Sequence, residues 1–128
     1  NHLLFNTGKQ IMTLTITPTK RETQFFDAYV EAIYFTDTGD THQPDPDCNL
    51  DEEFLRESLI DCLAFLNVNI CYLSDDQLEQ AGHDFWLTRN GHGTGFWDRE
   101  DFYEDNLARR LTDWSERFGQ VDSLFDPY

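Results

Sequence analysis

The sequence predicts an α+β domain in which three to four helices pack on a small antiparallel sheet containing a central β-hairpin at about residues 83–98. Apolar residues recur at helical spacing in three long segments. Two short segments near the chain ends, 14–17 and 120–125, have strand-like composition. A glycine-rich stretch, "NGHGTG", lies between two aromatic pairs, which is typical of a hairpin turn between strands.

The length of 128 residues suits one domain with its own core. Residues 1–11 precede Met12, a plausible natural start, and we interpret them as a leader or an appended extension. Residues 12–128 are then a single globular domain. No signal-peptide pattern is present, and the odd number of cysteines, Cys48, Cys62 and Cys71, indicates reduced thiols in a cytoplasm.

The first predicted elements are an edge strand over Leu14–Thr17 and a helix over about Lys20–Phe35. Pro18 ends the strand because it lacks a backbone N–H group. Thr19 is the expected N-cap of the helix, and Glu22 stands three residues later, as a capping box requires. The prolines, glycine and four aspartates that follow in 36–49 predict a loop.

A second helix is predicted over about Asp51–Leu66, with acidic residues in its first turn and Cys62 in its apolar stripe. A shorter helix begins with Ser74 as cap and Gln77 as its capping-box partner, and Gly82 is expected to end it.

The last predicted helix covers about Glu104–Phe118, with Gly119 directly after its end. A final strand is expected over Gln120–Phe125. Both assignments complete the helices and the sheet of the predicted domain.

The predicted hairpin contains "GHDFWLTRNGHGTGFWDR", residues 82–99. Residues 83–89 alternate between two faces as in a strand. The turn would place Trp86 near Phe96 on the opposite strand, and such cross-strand aromatic pairs stabilise a hairpin. The aromatic residues are expected to belong to the core rather than to a ligand platform.

The charge of the chain limits its functions. With 25 acidic and 9 basic residues, the formal net charge is −16. Such a chain repels nucleic acids and anionic membranes, so neither is an expected partner. The charge serves solubility, complements a basic partner protein, or imitates the phosphates of a nucleic acid.

Two acidic clusters are the predicted partner-binding residues. Glu53, Glu57 and Asp61 recur every fourth residue on one helix face, roughly 6 Å apart along the axis. A solvated helix face has the same pattern. The second cluster comprises Asp75, Asp76 and Glu79.

An alternative hypothesis is a small enzyme or ligand-binding domain centred on the hairpin. Glycines allow backbone N–H groups to converge on an anion, and a histidine transfers protons. The spacing matches no metal or nucleotide motif, so no metal and no cofactor are expected. The catalytic residues would be His83, Asp84, His92 and Asp98, and the ligand-contacting residues would be Trp86, Arg89, Asn90 and Trp97.

A third hypothesis is a structural or assembly protein, in which exposed hairpin aromatics bury against copies of the same chain. The oligomeric state would distinguish it from the other two.

The segment "QAGHDFWLTRNGHGTGFWDR", Gln80 to Arg99, resembles the signature AGHDFWLTRNGHGxGFWDR of a family of small, uncharacterised phage and prophage accessory proteins. "FDAYVEAIYF" and "LARRLTDWSERFGQVD" are similar to the opening helix and to the closing helix and strand of that family. The resemblance brings no catalytic residues with it. It implies an accessory protein that acts by binding host factors.

We therefore expect a non-enzymatic, acidic phage accessory protein in the cytoplasm of the host cell. Its partner would be a host protein with a basic surface, such as a nucleic-acid-acting enzyme that the protein inhibits as a DNA mimic.

Overall fold

The computed structural model describes residues 2–7, 10–15 and 17–126. Within these ranges the chain forms five α-helices and three short 3-10 helices. The α-helices are α1 (Lys20–Asp37), α2 (Glu52–Asn69), α3 (Leu78–Arg89), α4 (Glu100–Tyr103) and α5 (Asp105–Phe118), and the 3-10 helices are Ile70–Tyr72, Asp75–Gln77 and Phe96–Arg99.

The prediction of an α+β class is wrong, because the domain that follows residue 16 is helical over the residues that the structure describes. The long helices pack on one another, and α1 and α3 form the most extensive pair. Strands β1 (His2–Thr7) and β2 (Gln10–Thr15) pair antiparallel with each other upstream of this domain, and Leu14 and Thr15 of the predicted edge strand lie in β2. No sheet supports the helices in the described ranges.

The predicted hairpin at about 83–98 is also wrong. Residues 83–89 complete α3, and Phe96–Arg99 is a 3-10 helix. Every residue from Asp84 to Arg89 is buried. Because this second half of α3 is buried on all sides, it has no exposed polar face, and its period of 3.6 residues is hidden in the sequence.

Gly82 lies in the middle of α3 and does not end a helix. A Cβ atom there would stand 2.1 Å from the backbone oxygen of Phe25 in α1. The glycine is therefore required by the close approach of two helices, not by a helix end.

The predicted final strand over Gln120–Phe125 is wrong as well. Residues 119–126, which we call the C-terminal strap, form only one isolated bridge, between Phe125 and Leu50. Asp51 N donates to Leu124 O at 2.8 Å, and Asp126 N donates to Asn49 O at 2.8 Å. These bonds hold the strap against the chain that precedes α2.

Helices α1, α2 and α5 confirm the sequence predictions to within a few residues. The Thr19–Glu22 capping box forms, and Gly119 follows α5 with φ of 74°. The core is aromatic, as expected. Its largest fully buried rings are those of Trp86, Tyr29, Tyr103, Phe25, Phe65, Phe85 and Phe96.

Candidate functional site

Asp84, a predicted catalytic residue, is completely buried in α3. Arg99 Nε donates to both of its carboxylate oxygens, at 3.0 and 2.9 Å, and Tyr103 Oη donates at 2.8 Å. Gln80 Nε2 donates at 3.1 Å. Burial and the neighbouring carboxylate raise the pKa of Tyr103. A carboxylate that accepts four hydrogen bonds from its own domain is occupied in holding α3 to the segment 99–103.

Arg89, expected to contact a ligand, is likewise buried, with 1 % of its side chain exposed. It forms an ion pair with Asp61 of α2 at 2.8 Å and donates to Tyr29 Oη at 3.1 Å. It also donates to the carbonyl oxygens of Phe118 and Gly119, at 3.1 and 2.8 Å. Arg89 thus joins α1, α2 and α3 to the C-terminal end of α5.

This polar centre affects neighbouring titrating groups. Burial, followed by the proximity of Cys62, raises the pKa of Tyr29, and burial raises the pKa of the Cys62 thiol. Cys62 is fully buried, as its place in the apolar stripe predicts. These groups therefore remain uncharged at neutral pH inside the domain.

The other residues of the alternative site are gathered only in part, because Trp86, Asn90 and His92 line one cleft of about 280 Å³ beside the C-terminal strap, whereas His83 and Asp98 do not line it. Trp86 is buried and donates through Nε1 to Thr36 Oγ1 at 2.8 Å. His83 lies 3.4 Å from Glu31, and His92 is exposed in the loop after α3. Asp98 is exposed and accepts from Gly95 N at 3.0 Å.

Asn90 holds the strap, because its Oδ1 accepts from Val121 N at 2.9 Å. Trp97 keeps 39 % of its surface exposed. Within the described ranges, no three His, Cys, Asp or Glu side chains are arranged to hold a metal ion. The segment 82–99 therefore supplies most of its polar groups to the fold, and the structure brings Trp86, Asn90 and His92 to one cleft without His83, Asp84 or Asp98.

The first predicted acidic cluster, Glu53, Glu57 and Asp61 on α2, borders a cleft of about 360 Å³ between α2 and the C-terminal strap. We call it the acidic cleft. Asp122 of the strap adds a carboxylate that the sequence did not indicate. The residues that line the cleft are Asp51, Glu53, Phe54, Glu57, Ser58, Asp61, Val121, Asp122 and Leu124.

The carboxylates of the acidic cleft differ in what neutralises them. Asp61 is paired with Arg89, and Asp51 caps α2 by accepting from Phe54 N at 3.0 Å. In the described part of the chain, no Lys or Arg lies within ion-pair distance of Glu53, Glu57 or Asp122. These three exposed carboxylates therefore produce a negative potential at the mouth of the cleft.

The floor of the acidic cleft is apolar. Phe54 is half-buried against the core, while Val121 and Leu124 come from the strap. Leu124 leaves 54 % of its surface exposed. A concave surface with an apolar floor and a negative rim suits a cationic side chain, whose aliphatic stem needs apolar contact and whose head group needs carboxylates.

The second predicted cluster lies elsewhere. This cluster, Asp75, Asp76 and Glu79, lies at the N-terminal end of α3. The first cluster lies at the other end of that helix, where Asp61 contacts Arg89. Twelve residues of helix separate the two ends by roughly 18 Å. Asp75 is also paired with Arg21 at 2.8 Å. The second cluster is therefore not continuous with the acidic cleft.

No helix in the described ranges has the length and apolar character needed to cross a membrane. Comparisons with family models, with curated proteins and with solved structures find no match to this chain. The resemblance of residues 80–99 to phage accessory proteins therefore stays a prediction.

Proposed function

We propose that this protein is a non-enzymatic binding protein that docks through the acidic cleft onto a basic surface of a host protein and modulates it. One observation carries the proposal. Glu53, Glu57 and Asp122 converge on a concave, apolar-floored surface while the described part of the chain offers them no cationic partner. A charged surface left without internal partners is suited to a complementary surface on another molecule.

The energetics favour recognition by several weak contacts. An exposed ion pair contributes at most about 1 kcal/mol, so a single carboxylate cannot hold a partner. Several Lys or Arg side chains, with their aliphatic stems against Phe54 and Leu124, would add apolar burial to the ion pairs. The formal net charge of −16 would also accelerate encounter with a basic protein at low salt.

The partner class we favour is a nucleic-acid-acting enzyme in the cytoplasm of the host cell. Enzymes of this class carry basic surfaces that neutralise phosphates. Glu53, Glu57 and Asp61 repeat at roughly 6 Å along α2, and the resemblance of residues 80–99 to phage accessory proteins suggests a host target. Under this proposal the protein competes with the nucleic acid for the enzyme.

Affinity capture from nuclease-treated bacterial lysate tests the docking. Wild type is compared with Glu53→Gln/Glu57→Gln and with Asp76→Asn/Glu79→Gln, which removes the same charge from the other end of α3. We expect wild type and the second variant to retain a basic protein that moderate salt releases, and the cleft variant to lose it. Equal retention by all three would show that the acidic cleft does not bind.

Competition tests the finer proposal of DNA mimicry. Duplex DNA should displace the protein from the captured enzyme, because both would occupy the same basic surface. A ternary complex with DNA would contradict mimicry while leaving the docking at the cleft intact.

A further inference from the structure

A second surface, separate from the acidic cleft, exposes two aromatic side chains together. Trp97 and Phe102 keep 39 % and 42 % of their surface exposed and line one groove of about 560 Å³. We call it the aromatic groove. Its lining consists of Gln80, Trp97, Asp98, Arg99, Glu100, Asp101 and Phe102.

The core fixes both aromatic rings. A Cβ atom on the buried Gly95 would lie 2.8 Å from the Trp97 ring, so the indole covers this glycine. The Phe102 ring meets the buried Tyr103 ring edge-on at a centroid distance of 5.0 Å, and Gln77 Nε2 donates to Phe102 O at 2.8 Å. These contacts restrict each ring on one side before any partner arrives, which lowers the entropic cost of binding.

The charge around the aromatic groove is negative. Asp98, Glu100 and Asp101 are exposed carboxylates in its lining. Arg99 is the cation in the same lining, and its charge is balanced by the buried Asp84 at 2.9 Å. Aromatic faces beside carboxylates attract cations, because the ring quadrupole and the carboxylate charge act in the same direction.

We propose that the aromatic groove binds an arginine or lysine side chain of a basic partner protein, stacked on Trp97 and paired with Glu100 or Asp101. The chain already uses this contact internally, since Arg117 lies 4.4 Å from the Trp114 ring centroid and Arg110 lies 4.4 Å from that of Tyr72. A second copy of the chain is a poor occupant, because two molecules of formal charge −16 repel each other. The inference rests on the same class of partner as the proposed function but on a different surface.

A short cationic peptide is the probe. An acetylated and amidated Gly-Arg-Gly-Arg-Gly peptide is titrated into ¹⁵N-labelled protein, and the indole N–H signals of Trp86, Trp97 and Trp114 are followed. Trp86 is buried and Trp114 already faces Arg117, so both are internal controls. Trp97→Phe assigns the responding signal.

We expect the peptide to shift the Trp97 signal alone. Glu100→Gln/Asp101→Asn should weaken that response by at least about 3-fold, in keeping with a contact at an exposed aromatic ring. Glu53→Gln/Glu57→Gln should leave it unchanged. The inference would be overturned if the Trp97 signal did not move, or if Trp97 and Trp114 shifted equally. It would also be overturned if the Trp97 shift were lost only in the Glu53→Gln/Glu57→Gln variant. An unmoved Trp97 signal would leave the capture of a protein partner by the acidic cleft untouched, so the two proposals can fail separately.

Discussion

Asp84 and Arg99 form the ion pair that anchors the most distinctive segment of this sequence, with Arg99 Nε 2.9 Å from a carboxylate that is wholly buried. Arg99 itself keeps a third of its side chain exposed. The pair joins α3 to the short helices after the glycine-rich loop. Most polar groups of the long motif from Gln80 to Arg99 thus stabilise the fold. The acidic cleft lies outside the motif, whereas the aromatic groove includes its Trp97 and Asp98.

Replacing Arg99 should lower the free energy of unfolding more than replacing Asp84. Arg99→Met leaves a buried carboxylate without its cation and should lower the free energy of unfolding by about 3–5 kcal/mol. Asp84→Asn leaves an arginine that can turn toward water and should cost less, about 2–3 kcal/mol. Urea denaturation of both variants measures this order, and the reverse order would contradict the assignment of Asp84 as the dependent partner.

Gly82→Ala should destabilise the protein although it replaces a helical glycine with the best helix former. The new methyl group would meet Phe25 O at 2.1 Å, and overpacking of this kind costs about 1–3 kcal/mol. Glu79→Ala, one turn earlier on the exposed face, is the matched control and should change stability by less than about 0.5 kcal/mol. Thermal or urea unfolding compares the two, and a stabilised Gly82→Ala would refute the close approach of α1 and α3.

Of the carboxylates in the acidic cleft, Asp61 should be needed for stability, whereas Glu53 and Glu57 should not. Asp61→Asn removes the counterion of the buried Arg89 and should cost about 3 kcal/mol of unfolding free energy, the lower end for a buried pair because Asp61 is partly exposed. Glu53→Gln/Glu57→Gln should stay within about 0.5 kcal/mol of wild type. If chemical denaturation found both variants equally stable, Asp61 would not be the structural partner of Arg89.

Stability should fall at alkaline pH. Tyr29 and Tyr103 ordinarily titrate at 10.0, and burial raises the pKa of each. Above about pH 10 the unfolded chain has released these protons while the folded chain retains them, so the free energy of unfolding decreases as pH rises. The Cys62 thiol, whose pKa is raised from 9.0, adds to this loss at a slightly lower pH.

Urea denaturation between pH 8 and 11 measures this decline. Tyr103→Phe should be less stable at neutral pH, because Asp84 loses a donor, and should show a shallower alkaline decline. An unchanged slope in this variant would mean that Tyr103 ionises as readily in the folded state as in the unfolded state.

The sequence predicted the long helices because their apolar residues show a clear period. Thr19 caps α1 and Gly119 follows α5 as expected, whereas Asp51, expected in the first turn of α2, is its N-cap. The segment 83–98 was mispredicted for a physical reason. The second half of α3, from Asp84 to Arg89, is buried on all sides and therefore shows no exposed polar face, and the Asn-Gly pair marks the end of a helix instead of a hairpin turn.

The candidate sites were predicted in part. The repeat of Glu53, Glu57 and Asp61 indicated one wall of the acidic cleft, but it did not distinguish the structural Asp61 from its neighbours. Asp122 was missed because the strap was assigned to a strand, and a strap held by backbone bonds to Asn49 and Asp51 has no periodic signature. Long-range contacts of this kind are decided by packing rather than by local pattern.

The central claim is that the acidic cleft, and not the loop after α3, is the surface through which this protein acts. The most direct measurement is capture from nuclease-treated bacterial lysate with Glu53→Gln/Glu57→Gln beside His92→Ala, both first shown to unfold like wild type. We expect His92→Ala to retain the salt-sensitive partner and the cleft variant to lose it. Retention by the cleft variant together with loss in His92→Ala would contradict the account and move the functional surface to the loop.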